Sequence, residues 1–194
     1  MVPTLKIAPG KINWGIGMPL HEIDVAVKRV MAALQRRPEF GIHANPNAVA
    51  QWESGTRVVT SSPDGTKVVT DMPKEIGGTG DQVSPGWLFR AGLASCSATS
   101  ITLAAASEGI ALTALQVRTE SRSDVRGLLG MSAPNGAPVY AGLFDIELHV
   151  TIAADGATPE SLSSLVESCL AHSPIPCSVT KATPFKLHVN VAPA

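Results

Sequence analysis

Residues 84–109, SPGWLFRAGLASCSATSITLAAASEG, constrain the fold of this chain more than any other stretch. Ser84 suits the N-cap of a helix and Pro85 its first position, where a missing N–H costs nothing. Beyond them the segment is small and apolar almost all round, with only Arg90 and Glu108 charged. With no polar stripe to face water, a helix of this kind must be covered on most sides by the other elements. Cys96, in its middle, is then a thiol held in an interior. The segment does not read as a membrane span. Its uncharged run stops short of the roughly 18 to 20 apolar residues a bilayer needs, and Ser95, Ser97, Thr99, Ser100 and Thr102 dilute it.

The chain has 194 residues, of which 44% are hydrophobic, enough to bury one core, and the length favours a single domain with an appendage. A net charge of −1 supplies no electrostatic reason to expect nucleic acid or an anionic membrane as a partner. Cys96, Cys169 and Cys177 are odd in number, and no secretory apolar region follows Met1. The expectation is a cytoplasmic protein without a disulfide framework.

Residues 1–18 show no sustained period and read as an arm. Over residues 20–37, Ile23, Val27, Val30, Met31 and Leu34 recur at helical spacing, with acids early and bases late, which predicts an amphipathic helix ended by Pro38. Residues 40–60 read as extended structure broken at Glu53-Ser54-Gly55. TRVVT and TKVVT, flanking the turn residues Ser62-Pro63-Asp64-Gly65, predict a hairpin. The glycine-rich run Ile76 to Asp81 lacks the Lys-Ser/Thr of a phosphate loop and reads as a tight turn feeding the central helix. Two long strands follow, over residues 112–122 and 138–153. In the second, Phe144, Ile146, Leu148, Val150 and Ile152 alternate with Asp145, Glu147, His149 and Thr151, so one face is buried and His149 belongs to the wetter one. Thr158-Pro159-Glu160 opens another helix, whose stripe Leu162, Leu165, Val166, Cys169 and Leu170 makes Cys169 a packing residue. Ser173-Pro174-Ile175-Pro176 ends it and leads to a short helix holding Cys177 and Lys181, and residues 185–191 predict a last strand.

Two cysteines remain for chemistry. A thiol reacts as thiolate, favoured by a helix N-terminus, a nearby cation and partial exposure. Cys177, just after Pro176 and one turn before Lys181, has the first two locally. Cys96 sits mid-helix, so its activation must come from a tertiary partner, with Arg57, Arg90, Arg118, Arg122 and Arg126 as the candidate cations. Cys169, His172 and Cys177 form only a Cys-x2-His-x4-Cys set, short of the four ligands of a structural zinc, and no metal site or cofactor is assigned.

The segment GGTGDQVSPGWLFRAGLASCSATSITLAAASEGIAL resembles the central signature of the OsmC/Ohr family of osmotically induced and organic-hydroperoxide-resistance proteins. There a Gly-rich loop, Ser/Asn-Pro and a long buried helix with a mid-helix cysteine follow in this order. The resemblance covers residues 44–191 and sets off residues 1–43 as an N-terminal arm and amphipathic helix before an OsmC-like domain, 44–194. It implies an α+β fold, an intertwined homodimer with antiparallel sheets wrapped around long central helices. It also implies a thiol-dependent peroxidase that reduces small organic hydroperoxides at the expense of a dithiol. Cys96 matches the peroxidatic position; Cys177 is the candidate resolving thiol, and Arg90 and Arg57 are the candidate thiolate partners. Two residues depart from the family pattern. Gly86 stands where many members carry a Glu that orients an arginine, and Ser173-Pro174 stands where the second cysteine precedes proline. The alternative reading is a non-catalytic protein of this fold that binds an apolar small molecule at the dimer interface.

Overall fold

The computed structural model describes residues 19–181 and 183–192, so the expected arm over residues 1–18 lies outside the described residues. The first element is helix α1 (Leu20–Arg36), opened by Pro19 and carrying Glu22 in its first turn and Arg36 in its last. Its Ile23 faces Ser95, Ala98, Thr99, Thr102 and Leu103 of the central helix α2 (Pro85–Ser107) across a shallow groove.

Between these helices runs a three-stranded antiparallel sheet of β1 (Val49–Ser54), β2 (Arg57–Ser61) and β3 (Lys67–Thr70), in that order. TRVVT and TKVVT pair as their pattern predicts, with Val59 opposite Val69 and Thr60 opposite Val68. The turn between them closes through Thr66 N donating to Asp64 Oδ1 and through Gly65 at φ 91°, a value that favours glycine. Extended structure starts later than the sequence indicated. Residues 38–41 form a single 3-10 turn, strand pairing begins only at Val49, and Pro46 has no N–H to give a ladder.

β4 (Leu112–Arg122) and β5 (Phe144–Ala154) form a long antiparallel pair in which Val117 faces Val150 and Glu120 faces Glu147. Along β5 the side chains alternate half-buried and exposed, with His149 on the exposed face. β5 begins at Phe144 rather than at residue 138. A four-residue helix, α3 (Val125–Leu128), lies in the connection, buried Gly127 lets its backbone approach that of Tyr140–Ala141, and residues 138 and 139 pair back with Ser132 and Met131 instead of with β4.

α4 (Pro159–Leu170) and α5 (Pro174–Thr180) then pack on α2. Thr158 caps α4 by accepting from Ser161 N, and Leu162 and Leu165 are buried. The last strand expected over residues 185–191 is absent: Phe185, Leu187, Val189 and Val191 are exposed and pair with no strand among the described residues. The alternation is a strand pattern, but a strand needs a sheet edge to bond to, and none meets it among the described residues.

The core centres on α2. Leu93, Ser97, Ile101 and Ala105, four apart, form its buried stripe, and Ser97 returns its hydroxyl to Leu93 O. The burial expected on most sides is not reached within one chain, since Trp87, Phe89 and Leu103 remain well exposed. Elements of one chain cover only part of a helix that has no polar face. No helix among the described residues is long and apolar enough to cross a membrane.

Candidate active site

The Gly-rich turn fixes the start of α2. Its amides point inward: Gly77 N donates to Lys74 O, Gly78 N to Pro73 O, Thr79 N to Asp71 Oδ2 and Gly80 N to Met72 O. Three of these bonds close the turn on its own carbonyls, and the fourth, from Thr79, reaches the carboxylate of Asp71, at the end of β3. Asp71 is buried and also accepts from the hydroxyls of Thr56 and Thr79 and from Met72 N at 2.8 Å. Those bonds, led by the Thr56 hydroxyl and followed by those from Thr79, hold its carboxyl well below the usual carboxylate range. A carboxyl depressed in the folded state contributes stability that is complete above the unfolded value, near pH 4, and lost as pH falls below it. Asp71→Asn should therefore melt lower than the parent at pH 7 and show a shallower loss of melting temperature between pH 4 and 2. Parallel curves for the two proteins would contradict this.

Arg57 closes the same cluster. Its Nη2 lies 2.5 Å from Asp81 Oδ1, 3.0 Å from Thr79 Oγ1 and 3.7 Å from Asp71 Oδ2, and the Asp81 bond raises the guanidinium's pKa. Arg57 thus ties β2 to the turn.

Cys96 is half-buried on a different face of α2. Gly92, Cys96 and Ser100, four apart, make the stripe that meets α5. A Cβ on Gly92 would lie 3.8 Å from Ile175 Cδ1, Cys96 Sγ lies 3.3 Å from Ser173 Oγ, and Ser100 Oγ donates to Ser173 Oγ at 2.9 Å. Ser173 is fully buried. The residue that departs from the family's Cys-Pro pattern is the one beside Cys96, and its role was missed at the sequence level. The signal was there: α5 starts at Pro174, one turn earlier than Cys177 suggested, which makes Ser173 the residue at the bend.

The other thiols have partners of their own. Cys177 Sγ donates to Ala171 O at 3.2 Å and Cys169 Sγ to Val166 O at 3.3 Å; burial pushes the Cys169 thiol up, as suits a packing residue. His172 Nδ1 sits 3.1 Å from Ser168 O, so the Cys-x2-His-x4-Cys residues each face a backbone carbonyl rather than one another. All three cysteines are free.

The arginines have hydrogen bonds of their own, none of them to the sulfur among the described residues. Arg118 pairs with Glu120, Arg122 with Asp145 at 3.1 Å and Arg126 with Asp124 at 2.6 Å. Arg90, half-buried on α2, is bonded to a neutral group, Ser121 Oγ at 3.4 Å, and lines a polar cleft of about 840 Å³ with Ser121, Arg122 and Asp145. Gly86 stands one turn before it, and a Cβ there would lie 3.7 Å from Arg90 Nη1 with no close contact. Gly86→Glu should fit. It removes a helical glycine, places an acid at the positive end of α2 and adds a Glu-to-Arg pair at i, i+4, together about 1 kcal/mol of stabilisation. A rise of about 2 to 4 °C in melting temperature is expected, and a fall would show that the first turn is closed to a side chain.

This backbone and this signature have counterparts. Residues 78–188 match the family model described as OsmC-like protein. No curated protein gives a significant match. Among solved structures, an OsmC-like protein from Mycoplasma pneumoniae superposes with a TM-score of 0.60 at 18% identity, over 78% of this chain and 98% of its own. An organic hydroperoxide resistance protein from Elizabethkingia anophelis, with crystallant-derived thiocyanate bound, gives 0.55 at 23% identity, over 73% and 91%. An organic hydroperoxide resistance protein, OsmC, from Legionella pneumophila gives 0.52 at 22%, over 71% and 91%. At these identities the likeness is one of fold. The family match is one of sequence: it runs from the Gly-rich turn through α2 to the far side of α5, more than half of the sequence, and on that ground the chain belongs to the OsmC-like family.

Proposed function

We propose that this protein is a thiol-dependent peroxidase for organic hydroperoxides, working as a homodimer, with Cys96 as the sulfur that attacks the peroxide. The observation that carries the reading is the setting of Cys96: a half-buried thiol in mid-helix, 3.3 Å from a hydroxyl that is itself fully buried. Such a thiol is open to a small substrate while shielded from bulk water, and a hydroxyl can donate to the thiolate that must form. The names of the Elizabethkingia and Legionella proteins support the substrate class. Among the cations, Arg90 is the candidate thiolate partner because its bond is to a hydroxyl, whereas Arg57 is engaged by two carboxylates.

The uncovered surface supports the dimer. Trp87, Phe89 and Leu103 of the central helix and the alternating Phe185, Leu187, Val189 and Val191 are apolar groups that one chain leaves in water. A second copy would cover the helix and offer a strand edge to the terminal segment.

The alternative, a binding protein without turnover, is favoured by one observation: no arginine is hydrogen-bonded to Cys96 among the described residues, and Gly86 supplies no acid to aim one. Steady consumption of cumene hydroperoxide by the purified chain with a dithiol reductant, and a light-scattering mass of two chains, are the expected results. A protein that consumes none leaves the binding reading, and a monomer removes the dimer.

A further inference from the structure

Ser173 breaks a local rule. It is the N-cap residue of α5, where a serine hydroxyl ordinarily accepts from an amide of the first turn, yet it makes no such bond. Its side chain turns instead into the protein, fully buried, between Ser100 and Cys96. Ser100 donates to Ser173, which leaves the Ser173 proton free to point at the Cys96 sulfur, and once that sulfur is a thiolate Ser173 is the only possible donor of the pair. A donor in that place favours the charged sulfur over the neutral thiol. The remaining thiols look away, Cys177 to Ala171 O and Cys169 to Val166 O.

We propose that Cys96 is a single-thiol centre: the buried Ser173 hydroxyl holds its thiolate, and the oxidised sulfur is resolved by a small thiol from solution through a mixed disulfide at Cys96. The proposal rests on the peroxidase reading. In the first step the thiolate attacks the peroxide, an S–O bond forms as the O–O bond breaks, and the leaving alkoxide takes a proton to become the alcohol; sulfur is oxidised by two electrons to the sulfenic acid. A small thiol then attacks that sulfur, an S–S bond forms and water leaves. A second small thiol attacks the mixed disulfide, which returns Cys96 as the thiol and releases the small-molecule disulfide. Cys96 is partly exposed, so a small thiol has access to it without a second protein sulfur.

The test treats the full-length protein with one equivalent of cumene hydroperoxide and then with one equivalent of β-mercaptoethanol, reading intact mass. The parent and Cys177→Ser should both gain one oxygen and then one β-mercaptoethanol adduct, mapped to Cys96. Ser173→Cys should instead lose two hydrogens, because its new sulfur lies within bonding reach of Cys96. An internal disulfide in the parent that vanishes in Cys177→Ser would make Cys177 the resolving thiol and overturn the proposal. A parent that takes up no oxygen overturns the peroxidase reading itself, and this inference with it. The positioning role of Ser173 is read separately from the rate of Cys96 alkylation by iodoacetamide at pH 7, which should fall by about five- to tenfold in Ser173→Ala and return toward the parent rate in Ser173→Thr. An unchanged rate in a folded Ser173→Ala would remove Ser173 from the mechanism.

Discussion

Cys96→Ser should reduce hydroperoxide no faster than the dithiol does alone, a loss of at least about a thousandfold. A serine hydroxyl is almost entirely protonated at neutral pH, and its oxygen cannot accept a second oxygen and return it as water, so no residual turnover is expected from the substituted side chain. The replacement is nearly isosteric and still meets the Ser173 hydroxyl, 3.3 Å from the present sulfur, so the fold should be kept. Activity is the decisive measurement, checked beside a melting curve. Turnover retained in a variant that melts like the parent would remove the nucleophile assigned here. The same variant separates the two functional readings, because a protein that only binds an apolar molecule should keep its affinity when the sulfur is changed.

Gly78→Ala should be the most destabilising glycine-to-alanine change among the described residues. Its Cβ would lie 1.7 Å from Met72 O, 2.4 Å from Met72 C and 2.9 Å from Met72 Cα, all backbone atoms that no rotamer change can move. The turn would have to open. That would break the bonds from Gly78 N to Pro73 O and from Gly80 N to Met72 O and draw Thr79 away from buried Asp71. A cost of at least about 3 kcal/mol is expected, a fall in melting temperature of roughly 10 °C. Gly77 provides the contrast. It sits at φ 88° with open space around its Cβ position, so Gly77→Ala carries only the left-handed backbone penalty of about 1 to 2 kcal/mol. If the two variants melt together, close approach to the Met72 backbone is not what requires glycine at 78.

Local order was legible wherever a residue's neighbours in sequence are also its neighbours in space. The caps of α2 and α4, the Val-rich hairpin of β2 and β3, the alternation along β5 and the packing role of Cys169 all follow from spacings of two, three or four residues. The strand starts were misjudged at residues 40 and 138. Apolar character in those segments does not reveal that strand pairing waits until Val49, or that residues 138 and 139 turn back on Ser132 and Met131 instead of joining β4. The terminal segment taught the same lesson in reverse, since its apolar alternation is real but a strand is a relation between two segments.

By itself the sequence determined that this chain builds an apolar central helix with a thiol at its middle, because composition over one stretch decides how much of a helix can face water. It also determined the family, through the order of a Gly-rich turn, Ser-Pro and that helix. Only the tertiary structure decided what the thiol meets. Cys96 and Ser173 are 77 residues apart, and their contact depends on the angle at which α5 leaves the end of α4. The same holds for the glycine-rich turn, whose Thr79 amide and hydroxyl close on Asp71 while its glycine amides close on the carbonyls of residues 72–74. Hydrogen bonds of this kind act over about 3 Å, a distance that no spacing along the chain encodes once the partners lie on separate elements.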